Sequence, residues 1–226
     1  MMLAGAFAIV LFIGLIVGDW MYFTRLSSDA TRYGYGIGQV QDRFVALTVP
    51  KLLRAFDTNG FLSLPHGVAR VFPDANRMII RPTHRLFSMR FRTAWPLKGS
   101  IELASDPDGL RMVCTKRVPW SSSILTFLWF SLVGFGTLGF LITYVLQGGL
   151  ESLGSVLLGI GVTRVGLIVV AFGLLTVTVA YRIENTRLML VYTELRDIAL
   201  ANEGGIAPLI RPEDRLNPAR LREPAS

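Results

Sequence analysis

Apolar side chains fill three long runs of the chain, and two of these runs follow each other closely. There is no charged residue between Arg117 and Glu151, and a second charge-free stretch of 17 residues precedes Arg182. A helix needs about 20 apolar residues to cross the roughly 30 Å hydrocarbon layer of a membrane. The pattern therefore predicts a transmembrane helical hairpin, with helices over residues 119–147 and 155–181.

The third apolar run occupies residues 1–18. A secretory signal peptide carries a basic segment before its apolar core and small residues at its cleavage site. Here no Lys or Arg comes before Arg25, and the run is followed by Trp20 and Tyr22, which resemble the aromatic belt of a membrane interface. We therefore expect a retained transmembrane helix over residues 1–24.

Basic residues beside the three runs predict how the chain lies across the membrane. Cytoplasmic loops are enriched in Lys and Arg close to the ends of membrane helices. The flanking basic residues all lie on one side, and they are Arg25, Arg32, Lys116, Arg117, Arg182 and Arg187. We expect a multi-pass protein of the bacterial inner (plasma) membrane, with its N-terminus outside and with residues 25–118 and the C-terminus in the cytoplasm.

The segment between the first two predicted membrane helices begins with glycine and then shows a helical pattern. We interpret residues 33–38, Tyr-Gly-Tyr-Gly-Ile-Gly, as a flexible connector, because no strand precedes them as a phosphate-binding loop requires. Over residues 38–56 apolar side chains, including Val40 and Phe44, recur at roughly helical spacing. Pro50 interrupts this stretch, which predicts one kinked helix or two short helices, the second capped by Thr48.

Residues 61–118 alternate between apolar and polar side chains, which is typical of half-buried strands. The alternation is clearest over residues 84–92. In the last strand it places Leu110, Met112 and Cys114 on the inner face. The last strand leads directly into the second membrane helix, which we expect a run of three serines to cap.

Two clusters of turn-forming residues divide this region into hairpins, Pro-Asp-Ala-Asn at 73–76 and Asp-Pro-Asp-Gly at 106–109. About five antiparallel strands in a meander, packed on the short helices, account for the pattern. The sequence therefore predicts an α+β membrane protein, with three transmembrane helices and a small antiparallel β-meander domain between the first helix and the second.

The last part of the chain is predicted to leave the membrane as a cytoplasmic helix over residues 182–203. Its partial apolar stripe consists of Ile183, Leu190, Val191, Leu195 and Ile198. A Gly-Gly pair then ends the helix. Residues 204–226 are polar and contain proline, so we expect an extended tail.

Composition narrows the chemistry that the chain can perform. Of 226 residues, 51% are hydrophobic and 17% are charged, against about 25% charged in soluble domains. A single cysteine, Cys114, excludes an internal disulfide and a cysteine-based metal site, and His66 and His84 are too few for a histidine-rich centre. Nucleophile-elbow, phosphate-loop and zinc-protease motifs are absent. We therefore expect a protein that is not an enzyme and that holds no cofactor or metal.

The net charge of +7 lies in the middle of the chain. From Asp19 to Val118 there are fifteen Lys and Arg against eight Asp and Glu. We expect a basic face formed by the outward arginines of the strands, Arg70, Arg90, Arg92, Arg111 and Arg117. Anionic lipid is the favoured partner, because each basic residue near the membrane gains about 1 kcal/mol. An acidic protein surface comes second, and nucleic acid is not expected because the aromatic side chains alternate into the core.

Arg164 is a charge inside an otherwise apolar run. An intramembrane charge is costly and often functional. The 17 residues between Arg164 and Arg182 cover about 26 Å as a helix, so we place Arg164 near the outer boundary. There it reaches lipid headgroups or pairs with a partner subunit, and a role in transport or catalysis is the least favoured reading.

Glycines are frequent in both helices of the hairpin, and small residues let membrane helices approach closely. We expect helix packing, within this hairpin or against helices of another subunit, at Gly134, Gly136, Gly139, Gly159, Gly161 and Gly166.

Three segments carry a resemblance to other proteins, at residues 95–102 (Trp-Pro-Leu-Lys-Gly-Ser-Ile-Glu), 108–111 and 118–120, the last entering the hairpin. A helix after the hairpin bears Glu184, Arg187, Glu194 and Arg196. Over about residues 61–200 the chain resembles a broad group of uncharacterised small bacterial membrane proteins with a cytoplasmic β-domain ahead of a transmembrane helical hairpin. The resemblance implies this architecture and supplies no catalytic residue.

The sequence favours a non-catalytic accessory, stabilising or assembly subunit of a larger inner-membrane complex, with other integral membrane subunits as partners. The alternative is a membrane-anchored cytoplasmic module that senses a lipid or another ligand. A small oligomeric transporter is the third hypothesis, and it requires a polar path that this chain alone does not supply.

Overall fold

The structure is a computed structural model, and it describes residues 2–45, 47–83, 93–107 and 109–203. Within these residues the fold is α+β. The helices are α1 (Met2–Phe23), α2 (Val49–Leu53), α3 (Trp120–Leu146) and α4 (Leu153–Glu203). The strands are β1 (Tyr35–Phe44), β2 (Phe61–Ser63), β3 (Gly67–Phe72), β4 (Arg77–Pro82), β5 (Lys98–Asp106) and β6 (Gly109–Val118).

All six strands form one antiparallel sheet in the order β1-β6-β5-β4-β3-β2. Strands β2 to β6 follow one another as a meander, and β1 is added beside β6. The predicted order was wrong in one respect, because β4 pairs directly with β5 and leaves no place between them for the strand predicted over residues 84–92. Both predicted turns are confirmed. A 3-10 turn at Pro73–Ala75 joins β3 to β4 through Asn76, whose φ of 49° is left-handed, and β5 meets β6 at the pair Asp106 and Gly109.

One face of the sheet, the inner face, packs against the C-terminal half of α4. The predicted inward side chains Leu110, Met112 and Cys114 are confirmed as buried. On α4, residues that recur at helical spacing meet this face and are fully buried, namely Leu188, Val191, Tyr192, Leu195 and Ala199. This shared core fixes the sheet to the helix.

Two polar contacts fix the register of α4 on the inner face. The Tyr192 hydroxyl donates to Asp42 Oδ2 on β1 at 2.9 Å, and Lys116 Nζ on β6 donates to Asn185 Oδ1 at 2.7 Å. Burial and the hydrogen bond to Asp42 raise the pKa of Tyr192 well above its ordinary value. The tyrosine therefore stays a hydrogen-bond donor at any physiological pH.

The apolar stripe predicted for this helix was right only in part. Val191 and Leu195 are fully buried and Ile198 packs against the core. Ile183 and Leu190, however, are 37% and 47% exposed. At 100° per residue they lie on the side of α4 that faces away from the sheet.

The prediction for residues 38–56 was largely wrong. Val40 and Phe44 belong to a strand, β1, which pairs with β6 from Tyr35 opposite Val118 to Phe44 opposite Leu110. A spacing of four residues also keeps two side chains on one face of a strand, so it fits both structures. The free edge of β6 then decides in favour of the strand by supplying backbone partners. Among the described residues of this stretch, only the five of α2 are helical, and Thr48 precedes them without a side-chain capping bond.

The glycine-rich stretch is likewise part of the sheet and not a free connector. Gly34 has a φ of 105°, and a Cβ placed there would lie 2.6 Å from the carbonyl oxygen of Val118. Only glycine accommodates both the left-handed conformation and this close approach. It turns the chain from α1 into β1.

Two further predictions lie outside the described residues. These are the strand over residues 84–92 and the tail over residues 204–226.

Three helices, α1, α3 and α4, are long and apolar enough to cross a membrane. α3 and α4 pack against each other as a hairpin, and α1 contacts α3. The predicted third membrane helix and the predicted cytoplasmic helix are one continuous helix of 51 residues, about 75 Å long.

We predict that Leu195→Ala lowers the free energy of unfolding by about 2–5 kcal/mol, because it leaves a cavity between α4 and the sheet. Leu190→Ala, on the exposed side of the same helix, is expected to change it by less than about 0.5 kcal/mol. Denaturation of the two variants in mild detergent measures both changes, and equal losses would show that α4 does not pack on the sheet in this register.

Candidate functional site

Basic side chains are concentrated on the outer face of the sheet, opposite α4. Four of them come from four neighbouring strands, Arg70 on β3, Arg81 on β4, Lys98 on β5 and Arg117 on β6, and we call them the basic row. Each donates a hydrogen bond to a backbone carbonyl at the end of α1 or in residues 24–34, which we call the linker. The basic row therefore fastens the end of α1 to the sheet.

Lys98 is the centre of this arrangement, and its side chain is only 1% exposed. Its Nζ donates to the carbonyl oxygen of Ala30 at 2.5 Å and to that of Phe23, the last residue of α1, at 3.2 Å. The ammonium also lies 4.4 Å from the centre of the Phe23 ring. Hydrogen bonds, the ring and the helix end together replace the water that the buried ammonium has lost.

The arginines of the basic row hold the linker on either side of Lys98. Arg81 Nη1 donates to the carbonyl of Thr24 at 2.5 Å, and Arg117 Nη1 donates to that of Gly34 at 2.9 Å. Arg70 donates to the carbonyl of Leu26, and its guanidinium lies 4.4 Å from the centre of the Phe61 ring. Hydrogen bonds from a charged donor contribute about 1.5–3 kcal/mol each.

The electrostatics of the row require a negative partner. Lys98 and Arg117 are directly opposite each other on β5 and β6, and like charges in that position repel. Burial above all, and then the charge of Arg117, lower the pKa of Lys98 to about 7, whereas Asp19 opposes the shift. The C-terminal end of α1 carries the negative pole of the helix dipole and so offsets part of the repulsion.

A second contact ties α1 to the start of α3. Asp19 accepts hydrogen bonds through Oδ2 from the backbone N–H of Ser121 at 3.0 Å and from its hydroxyl at 2.5 Å. Through Oδ1 it accepts a hydrogen bond from the Tyr33 hydroxyl. This hydrogen bond, together with burial, raises the pKa of Tyr33 to about 12. A carboxylate on α1 thus caps α3 from a neighbouring helix.

This cap corrects the prediction that the serines themselves cap α3. Pro119 occupies the capping position and makes no side-chain bond there. The hydroxyl of Ser121 binds Asp19, and that of Ser122 donates to the carbonyl of Ala94 at 2.8 Å.

The linker also makes an exposed ion pair with the sheet. Arg32 donates to Glu102 Oε1 from Nη2 at 2.8 Å and from Nε at 3.2 Å, and this hydrogen bonding lowers the pKa of Glu102. Both side chains are at least half exposed, so the pair contributes little stability.

The predicted basic face differs from the one observed. Arg70 and Arg117 bind linker carbonyls, and the lipid or partner contact predicted for them stays a prediction. Arg111 lies 3.8 Å from Asp106 Oδ2 and is 39% exposed. Arg90 and Arg92 lie outside the described residues.

Arg164 is exposed on α4 and makes no hydrogen bond or ion pair with the residues that the structure describes. The six glycines predicted to pack helices fall into two groups. A Cβ at Gly159 or Gly166 would meet the other helix, 3.4 Å from Tyr144 or 2.7 Å from Thr137. A Cβ at any of the others would meet no atom within 4 Å, and these are Gly134, Gly136, Gly139 and Gly161.

A buried carboxylate lies where α4 reaches the sheet. Glu184 is 1% exposed and accepts hydrogen bonds from Arg187 at 2.9 Å and from the Thr93 hydroxyl at 3.1 Å. Beside it, Trp95 Nε1 donates to Thr126 on α3 at 2.8 Å. These bonds hold residues 93–97 against both long helices.

Sequence reasoning missed the residues that matter most here, Lys98, Arg81 and Asp19. Their signal was weak but present, since Lys98 and Arg81 occupy outward positions of strands and Asp19 is the single charge in the membrane helix predicted over residues 1–24. What the sequence could not show is that the linker folds back over the outer face and buries them.

An open cavity of about 390 Å³ lies beside the loop between α2 and β2. It has an apolar floor that includes Phe56 and Val71 and a polar rim that includes Asp57, Asn59 and Arg70. Among the described residues there is no cluster of three His, Cys, Asp or Glu side chains that could hold a metal ion.

No protein-family model, curated protein or solved structure matches the chain. The resemblance to small bacterial membrane proteins therefore stays a prediction.

We predict that stability rises with pH because of Lys98. Below about pH 7 both the folded and the unfolded chain carry this charge, and the folded chain bears the full cost of burying it. Between about pH 7 and the ordinary pKa of 10.5, only the unfolded chain keeps the proton, so raising the pH stabilises the fold by up to about 5 kcal/mol.

Lys98→Met removes this dependence. Denaturation of the full chain at several pH values, followed by tryptophan fluorescence, measures the difference in free energy of unfolding between wild type and variant. That difference should grow with pH above 7, with Lys116→Met as a control that keeps the wild-type slope. Parallel curves for wild type and Lys98→Met would contradict the burial of a charged Lys98.

Proposed function

We propose that the protein is a non-catalytic accessory, stabilising or assembly subunit of a larger membrane complex. In this proposal α1, α3 and α4 cross a bacterial inner membrane, the N-terminus is outside, and the sheet and the end of α4 are cytoplasmic. Other integral membrane subunits are the partners. The basic residues after α1, before α3 and within α4 support this orientation.

The observation that carries the proposal is that the side chains of the long helices are largely exposed within the chain. None of the residues in the most apolar part of α3 or of α4 is buried, and few of those in α1 are. In the part of α1 that precedes Asp19, large side chains such as Phe7 and Val10 are more than two-thirds exposed. Surfaces of this kind are covered by lipid or by other helices.

The open glycines favour helices as part of that cover. Gly136 and Gly139 are three residues apart and share one face of α3, where a Cβ would meet nothing within the chain. Glycine at a purely lipid-facing position brings no packing benefit and lowers helix stability by about 1 kcal/mol relative to alanine. A close helix from another subunit gives these positions a physical role.

Anionic lipids are a further proposed partner. Arg25 and Arg182 are both exposed. Arg25 lies just after α1, and Arg182 lies within α4, where its proposed membrane-spanning part ends. A lipid-sensing module is the alternative function, but it has weaker support because Arg70 and Arg117 are already bound to the linker. It depends instead on Arg90 and Arg92.

We predict that Gly136→Leu releases the partner subunits without unfolding the chain. The new side chain meets open space within the chain but fills the approach of a neighbouring helix, so retention of partners should fall by about tenfold, which corresponds to about 1.4 kcal/mol. Purification from membranes in mild detergent, with quantitative mass spectrometry of what is retained, measures the loss.

Gly166→Leu is the matched control, because its side chain meets Thr137 inside the hairpin. It should lower the melting temperature, whereas Gly136→Leu should leave it nearly unchanged. Recovery of the wild-type chain alone, as a monodisperse particle, would contradict the proposed function.

A further inference from the structure

The sheet has two unequal edges in the part of the chain that the structure describes. β2 is three residues long, whereas β1 is ten residues long and pairs with β6 on one side only. Long edge strands expose a row of backbone donors and acceptors, and proteins usually protect them with proline, charged side chains, a β-bulge or a covering segment. β1 contains no proline, its one irregularity lies near its start, and its charged residues are limited to Asp42 and Arg43 near its end.

The accessible part of this edge lies away from the membrane end of the strand. A register shift between Gly36 and Gly38 disturbs the first residues of β1. Beyond it, Gln39, Gln41 and Arg43 alternate along the strand with exposed side chains. They face the same side as Arg111, which is directly opposite Arg43 on β6.

Charge at this edge is unbalanced. Arg43 and Arg111 share a single carboxylate, Asp106, whose Oδ2 lies 3.2 Å from the first and 3.8 Å from the second. The Arg43 side chain is 70% exposed. Within the part of the chain that the structure describes, one positive charge therefore has no carboxylate of its own beside the open edge, which favours an acidic occupant.

The same charges disfavour a second copy of this chain as the occupant. β1 starts beside Trp120 at the base of α3 and reaches Tyr192 on α4, so it runs outward along α4 from the proposed membrane. Two copies in one membrane are related by rotation about the membrane normal, so their β1 strands would be parallel, which is the less stable pairing. Arg43 would also lie at the same height in both copies.

We propose that β1 is the docking edge for an extended, acidic segment of a partner polypeptide. The segment adds to the sheet as a further strand, with main-chain hydrogen bonds to β1 and a carboxylate beside Arg43. This inference rests on the proposed accessory function, and it identifies the cytoplasmic element and the chemistry through which a partner is held.

The test places the photo-crosslinking residue benzoylphenylalanine in place of Gln39 or Gln41 in the full chain in its native membrane. Crosslinked peptides are then mapped by mass spectrometry. Neighbouring strands advance in step, so the two positions should link to residues about two apart on one acidic segment of a different polypeptide. The same residue in place of Thr193, exposed on α4, should give no such link.

The charge requirement is tested on the same adducts. Arg43→Glu should reduce them by about tenfold, a change of about 1.4 kcal/mol, whereas Arg54→Glu, an equal change of charge just after α2, should leave them unchanged. Arg43→Gln should have an intermediate effect.

Four outcomes would overturn the inference: no adduct, adducts only to a second copy, adducts only to the chain's own residues 84–92 or 204–226, or links without the two-residue step. If membrane partners are still retained in mild detergent in those cases, the accessory function stands and only the docking edge is wrong. If no partner is retained, both fail.

Discussion

Burial of Lys98 against the end of α1 is the interaction on which the rest of the structure depends. An ammonium that is 1% exposed can be tolerated only where it has strong acceptors, and the carbonyls of Phe23 and Ala30 supply them. The helix end needs the donor equally, because its last carbonyls have no partner within the helix. Lys98 and the helix end therefore satisfy each other's hydrogen bonds, and the arginines of the basic row make the same kind of hydrogen bond along the linker.

The sheet is joined to each of the three long helices. The basic row holds the end of α1, β6 runs into α3 through Pro119, and α4 packs on the inner face. Asp19 in turn joins α1 to the first turn of α3. A sheet held in this way cannot swing freely on its helices. In the proposed accessory function this rigidity has a use, because it fixes the height and direction of β1 relative to the proposed membrane.

Features that depend on local pattern could be predicted from the sequence. The three apolar helices, the turn before Arg77 and the inward side chains of β6 follow from charge-free length, turn chemistry and period-two alternation. Features that depend on distant partners could not. The spacing of Val40 and Phe44 fits a helix or a strand, and only the pairing with β6 decides between them. Arg70 is an outward charge in the sequence pattern, and only the fold shows that the linker covers it. Lys98 was missed for the same reason, since no local signal shows that a lysine will meet a helix end.

The central claim is that the basic row holds the linker and α1 rigidly on the sheet. Nitroxide labels at cysteines in place of Ser28 in the linker and Thr193 on α4 test it, with Cys114→Ala to leave only these two labels. Pulsed electron spin resonance in lipid nanodiscs should give one narrow distance distribution, which broadens when Arg81→Gln and Lys98→Met are combined. A broad distribution in the chain with an intact basic row, unchanged by those substitutions, would contradict the claim.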